Sequence, residues 1–327
     1  MIGKNSTAIL FLSFILLLSC TADREKYSRL LSEAEEQNRD YTPFTSDSTM
    51  KEVVAFYDRH GSASERMKAH YLLGCVYRDL GEAPQALQCY HDATDCADTL
   101  SRDCEYELLF RVYSQMGEIF YNQEDYYDCL DSYTMASRYA LKAGDSVQAI
   151  INRFLRSNAY DKMNMPDSSL RIRLEASKAF DQIHQPELSA QVLGGVFATL
   201  IEQGRLHAAA NYMKKYEVAS GYFNKQGEIE EGREIYYYYK GLYFLYTDSL
   251  ANAYACFQKI TKDTLDINNR QAYYKGCESI TRKKVTSFCL LSMPTCMPMQ
   301  PTLPISECPL KRCTIHRHHM YITGMSV

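Results

Sequence analysis

The sequence predicts an all-α protein built from successive helical hairpins, and three observations carry that prediction. One recurring helix position is held by Gly74, Gly117, Ser157, Phe197 and Gly241, which stand 40 to 44 residues apart. Turn signals at Gly81, Asn164-Met165-Pro166-Asp167, Gln203-Gly204 and Thr247-Asp248 separate apolar stretches of helical spacing. No segment sustains the apolar–polar alternation of half-buried strands.

Residues 1–19 read as an address. Ala8 to Leu18 is an apolar run of 11 residues behind Lys4. That is short of the roughly 20 that span a bilayer, but it suits a signal peptide. Leu17-Leu18-Ser19-Cys20 resembles a bacterial lipobox, although Leu18 stands where a small or β-branched residue is typical. The resemblance implies that Cys20 is acylated and becomes the mature N-terminus. Two or three acyl chains (palmitate-like) would then anchor the protein to the cell envelope of a Gram-negative bacterium, at the outer membrane or periplasmic face.

Hydrophobic content of 46% and charged content of 23% are those of a globular chain. A net charge of −4 argues against a nucleic-acid surface, which needs a basic stripe. Trp is absent and Tyr numbers 27, so tyrosines must fill the helix interfaces with their hydroxyls at the rim.

Residues 20–61 form an N-terminal cap or diverged repeat. Arg24 to Asn38 reads as an amphipathic helix (Tyr27, Leu30, Leu31, Ala34) stopped at Thr42-Pro43. Ser46 to Asp58 reads as a second, with Asp47 or Ser48 as N-cap and Val53, Val54, Phe56 and Tyr57 on its apolar side.

The repeats occupy 62–281. In the first, Leu73, Gly74 and Tyr77 share one helix face, Gly81 breaks the chain, and Ala86, Tyr90 and Ala93 share a face of the second helix. This pattern resembles the tetratricopeptide repeat (TPR), with His70 in place of the usual Trp and Asp98 in place of the closing Pro. The second unit has Tyr113, Gly117 and Phe120, then Tyr126, Tyr133 and Ala136. The third has Tyr160 and Ala176, with Ser157 in the small-residue place. The fourth has Phe197 there, with Ala209 following. The fifth has Tyr237, Gly241 and Phe244, then Ala253 and Phe257. Steps above the usual 34 residues indicate helices a turn or two longer than in the short form. Each hairpin alone cannot bury its apolar face, whereas stacked hairpins share a core.

The resemblance implies a right-handed superhelical solenoid whose concave groove is lined by the first helix of each pair and takes a protein or peptide. Family geometry places Tyr71, Cys75 and Arg78 there from the first unit, and Ser114, Glu118, Tyr121 and Asn122 from the second. The third contributes Phe154, Asn158 and Asp161, and the fifth Tyr238, Leu242 and Tyr246. Tyr and Arg are common interface anchors. The paired Lys/Asn set of the carboxylate-clamping TPR subclass is incomplete, and the run Tyr236 to Tyr239 reads as mixed core and rim.

Residues 282–327 break the pattern. Pro294, Pro298, Pro301, Pro304 and Pro309 forbid a continuing helix, so the solenoid stops after Arg270 to Glu278, the opening helix of a sixth repeat. Met297-Pro298-Met299-Gln300, read two bases later, permits Ala-Asp-Ala-Thr/Ala, and Ser306 to Lys311 permits Met-Ser-Thr-Glu. The tail is therefore expected to be irregular and read out of frame.

Catalytic chemistry finds no constellation. There is no nucleophile elbow, Gly-rich phosphate loop or HExxH, so no enzyme and no cofactor is expected. Cys308, Cys313, His316, His318 and His319 lack a second ligand pair at zinc spacing, so no metal is expected. Cys75, Cys89, Cys129 and Cys256 read as buried thiols at small-residue helix positions, while Cys96 and Cys104 flank a loop they could bridge. The function expected is a non-catalytic, lipid-anchored scaffold. The alternative is the truncated sensory ectodomain of a membrane-bound TPR signalling or transcriptional regulator.

Overall fold

The computed structural model describes residues 22–101, 104–260 and 267–292. Residues 1–21, with the expected signal peptide and Cys20, and the proline- and cysteine-rich stretch 293–327 lie outside the described residues. Every regular element described is an α-helix, apart from one isolated bridge between Phe223 and Ile229. The helices are α1 (22–39), α2 (Ser48–His60), α3 (Ala63–Asp79), α4 (Ala83–Asp95), α5 (Tyr106–Asn122), α6 (Tyr126–Lys142) and α7 (Ser146–Lys162). They continue as α8 (Pro166–Gln182), α9 (Pro186–Gln191), α10 (Gly194–Glu202), α11 (Leu206–Ala219), α12 (Ile235–Tyr246), α13 (Leu250–Gln258) and α14 (Ile267–Ser292). The chain forms two compact units that divide between Arg156 and Ser157, inside α7.

In the first unit α3 packs on α4 and α5 on α6, with α2 against α3 and α4 against α5. Its core joins Val53 and Tyr57 of α2, Leu72 and Val76 of α3, Tyr90 of α4, and Leu109 and Val112 of α5. The entry to α3 is a capping box: the Ser62 hydroxyl accepts from the Glu65 amide, and the Glu65 carboxylate accepts from the Ser62 amide. Asp47, expected to cap α2, makes no side-chain cap bond. Its carboxylate instead pairs with Lys51 and accepts the Tyr77 hydroxyl at 3.2 Å.

In the second unit α10 pairs with α11 and α12 with α13, and α14 packs on both α12 and α13. Its core includes Phe197, Tyr216, Tyr236 and Phe257. The ring of Phe257 is sandwiched between Gly241 and Gly276; a Cβ at either would approach within 2.4 or 2.5 Å. Thus α14 seats as the opening helix of a further hairpin. It continues to Ser292, ten residues past the expected break at 282, because Arg282 to Ser292 contains neither Pro nor Gly.

One turn geometry recurs in all five hairpins. Seven residues after each small-residue place, the backbone turns left-handed: Gly81, Glu124, Asn164, Gly204 and Asp248 have φ between +57° and +76°. The next amide then reaches back five residues, as from Glu82 to Tyr77 and from Asp125 to Phe120. This is the Schellman closure, which satisfies carbonyls left free at a helix end.

Two features have no sequence-level expectation. The first helix of the fourth hairpin is interrupted at Val192-Leu193, giving α9 and α10. The connection 220–234 is an ordered loop, with Phe223 against Tyr216 and Tyr236 and the Arg233 guanidinium 3.6 Å above the Tyr222 ring.

Candidate protein-binding groove

In the first unit the three first helices, α1, α3 and α5, enclose a cleft of about 760 Å³. Its floor carries Tyr71 and Leu72 from α3 and Leu108 from α5; its rim carries charges of both signs. Lys68 pairs with Glu35 across α3 and α1 at 3.1 Å, and Arg111 pairs with Glu107 along α5 at 2.7 Å. Lys142, at the end of α6, instead stands 4.9 Å above the Tyr106 ring and 5.4 Å above that of Tyr139. An apolar floor within a ring of charges suits a chain segment with alternating apolar and polar side chains.

The expected groove residues divide by burial. Glu118, Asn122 and Tyr246 are exposed; Arg78, Tyr121, Asn158 and Tyr238 are half-buried; Tyr71, Phe154 and Asp161 are buried. Cys75, Ser114 and Leu242 are buried as well. Tyr71 reaches the cleft floor, and burial pushes its hydroxyl far above the usual range. Arg78 is fixed by Asp79, Gln115 and Asn38, so its fork of donors is spent inside the protein. Tyr121 lies edge-on to Tyr126, and Tyr238 tilts against Phe257. Burial pushes the Tyr238 hydroxyl up to about 12.

Asp161 has a structural partner. It forms a 2.7 Å ion pair with Arg173, both side chains being almost wholly buried, and Asn158 accepts a longer bond from the same guanidinium. Phe154 is likewise interior. The rim charges Glu35, Lys68, Glu107 and Arg111 were not singled out from the sequence; the i,i+4 spacing of Glu107 and Arg111 was the one available signal.

Cys75, Cys89, Cys129 and Cys256 are buried free thiols. Burial pushes Cys89 and Cys129 up to about 12. Among the described residues no three His, Cys, Asp or Glu side chains cluster as metal ligands, and no helix is long and apolar enough to cross a membrane.

No family model and no curated protein matches this chain in sequence. Solved structures do match in fold. The crystal structure of BtubC (BKLC) from P. vanneervenii superposes with a TM-score of 0.51 at 12% identity, covering 86% of this chain and 99% of that one. PilF of Pseudomonas aeruginosa superposes with a TM-score of 0.53 at 14% identity, covering 77% of this chain and 98% of that one. Both are TPR-like repeat proteins.

The fold is that of a TPR-like α-solenoid. The cleft between α1, α3 and α5 lies among the helices that open the hairpins.

Proposed function

We propose that this chain is a non-catalytic, lipid-anchored TPR scaffold that holds a protein or peptide partner at the bacterial cell envelope. The observation that carries the reading is the 760 Å³ cleft between the opening helices of the first unit, with its tyrosine and leucine floor and charged rim. The TPR-like fold supports the protein-interaction role. The Leu17-Leu18-Ser19-Cys20 sequence supports the anchor. No nucleic acid is assigned as a partner, because the net charge is −4.

Two experiments test the two halves separately. A photocrosslinking amino acid placed at Lys68 or Arg111 is expected to capture one discrete protein in intact cells. The same probe at exposed Gln88, on the second helix α4, should capture none. Equal capture at both positions would sink the groove assignment. For the anchor, Cys20→Ala should abolish fatty-acid labelling and release the protein from the membrane fraction; unchanged labelling would refute it.

A further inference from the structure

We propose that the segment held in the cleft of the first unit is acidic, with a carboxylate side chain that docks on Lys142 beside an apolar side chain on the cleft floor. The proposal rests on the protein-binding reading of that cleft and names the chemistry of its occupant. Four cations and three carboxylates line the cleft, so formal charge alone selects little. What decides is which of these charges remains open to a partner.

Nearly all are spent within the chain. Lys68 bonds Glu35 at 3.1 Å, and Arg111 bonds Glu107 at 2.7 Å. The Glu105 carboxylate accepts the Ser64 hydroxyl. Arg39 stands 3.8 Å from Glu36 and 3.9 Å from Asp40. Lys142 differs: among the lining charges it alone has neither a hydrogen bond nor an ion pair with a described residue.

Its ammonium is nevertheless held in place. It lies 4.9 Å above the Tyr106 ring and 5.4 Å above the Tyr139 ring. Those rings stack at 6.1 Å and 17°, and Tyr139 stacks in turn on Tyr113 at 5.5 Å and 17°. The Tyr106 hydroxyl donates to the Thr99 carbonyl and fixes its ring. Cation–π attraction orders the lysine stem and leaves its N–H donors unused. An incoming carboxylate therefore meets a cation whose freedom is already reduced, and less entropy is lost on binding. Leu108 of the floor stands two residues after Tyr106 on α5, so the cation adjoins an apolar patch. An acidic side chain next to an apolar one fits both, whereas a basic segment would meet Lys142 as a like charge.

The chain as a whole carries a net charge of −4, which gives an acidic partner no long-range attraction. The preference is local to Lys142. Because Lys142 is exposed at the rim, salt screens the contact.

The test pans a random-peptide phage library against the full chain. Enriched peptides are synthesised with a fluorescein label, and a photoreactive residue at Ala143, an uncharged cleft position, reports which of them occupy the cleft. These should carry Asp or Glu beside Leu, Phe or Tyr, and should bind more weakly as salt is raised. Lys142→Gln, which keeps the stem, should weaken them about fivefold, and Lys142→Glu should enrich Lys or Arg in place of the acids. Lys178→Glu, the same charge change at an exposed lysine of α8 in the other unit, should alter neither result. Cleft-bound peptides with no acidic preference, or with one that survives Lys142→Glu, would overturn the proposal and leave the cleft reading standing. Failure to enrich any peptide, or binding with no crosslink at Ala143, would sink the cleft reading and this proposal with it.

Discussion

The guanidinium of Arg173 fills the space that a side chain at position 195 would need: a Cβ on Gly195 would stand 2.4 Å from Cζ of Arg173. Sixteen residues after the small-residue place, the other hairpins carry Tyr90, Tyr133, Met213 and Phe257. The third hairpin carries Arg173 there, and its charge is met by Asp161. A buried charge is tolerable only when paired, and removing one partner typically costs about 3–5 kcal/mol. Asp161→Ala and Arg173→Leu should therefore each lose about that much in chemical denaturation, since each leaves the other charge buried without its partner. An Asp161→Ala variant as stable as the parent would contradict the pairing.

Gly195→Ala is a separate expectation. The planar guanidinium has no room to retreat while held by Asp161, so the added methyl should cost about 1–3 kcal/mol. Combining it with Arg173→Leu should recover part of the loss, because a leucine can change rotamer. Simple additivity of the two changes would argue against direct contact.

The fourth hairpin reverses the usual sizes, with Phe197 in the small-residue place and Met213 opposite in sequence register. Phe197 is fully buried and lies edge-on to Tyr216 at 5.3 Å and to Tyr236 at 6.1 Å. Truncation to Ala should cost about 3–5 kcal/mol, read as a lower denaturation midpoint with an unchanged m-value.

Glu124 sits at φ +64° in a turn where two of the other hairpins use glycine. A side chain in left-handed backbone costs about 1 kcal/mol, partly offset by the greater unfolded-state entropy of glycine. Glu124→Gly should accordingly raise stability by about 0.5 kcal/mol. A fall in Tm would show that the turn is held by the glutamate itself.

Acid should weaken the entry to α3. Burial pushes the Glu65 carboxyl up, but the Ser62 amide and hydroxyl and the Arg24 guanidinium outweigh it and hold the net value below the ordinary range. Its folded value lies below its unfolded one, so the stabilisation is complete above about pH 4.3 and is lost as pH falls through the folded value. Glu65→Ala should cost about 1 kcal/mol at pH 7 and much less at pH 3. An equal loss at both pH values would rule out the charged capping role.

The helical-hairpin architecture was legible in the sequence because it rests on local rules. Gly74, Gly117 and Gly241 leave gaps that Tyr90, Tyr133 and Phe257 fill at one offset, and turn residues mark where each helix must stop. The cleft was legible only in part. Tyr71 could be placed there from family geometry, whereas the cross-helix pairing of Glu35 with Lys68 depends on how α1 lies beside α3.

What the sequence by itself determined is the repeat: its period, its turns and the faces on which its small and large residues fall. Only the tertiary structure decided which polar groups are spent internally. Asp161 and Arg78 read as groove residues because their helix positions allow it, yet Arg173, Gln115, Asp79 and Asn38 draw them inward. The physical reason is that helix periodicity is set by near neighbours in the chain. The partner of a buried charge comes from wherever packing leaves room, here 12 residues away for Asp161 and as many as 40 for Arg78.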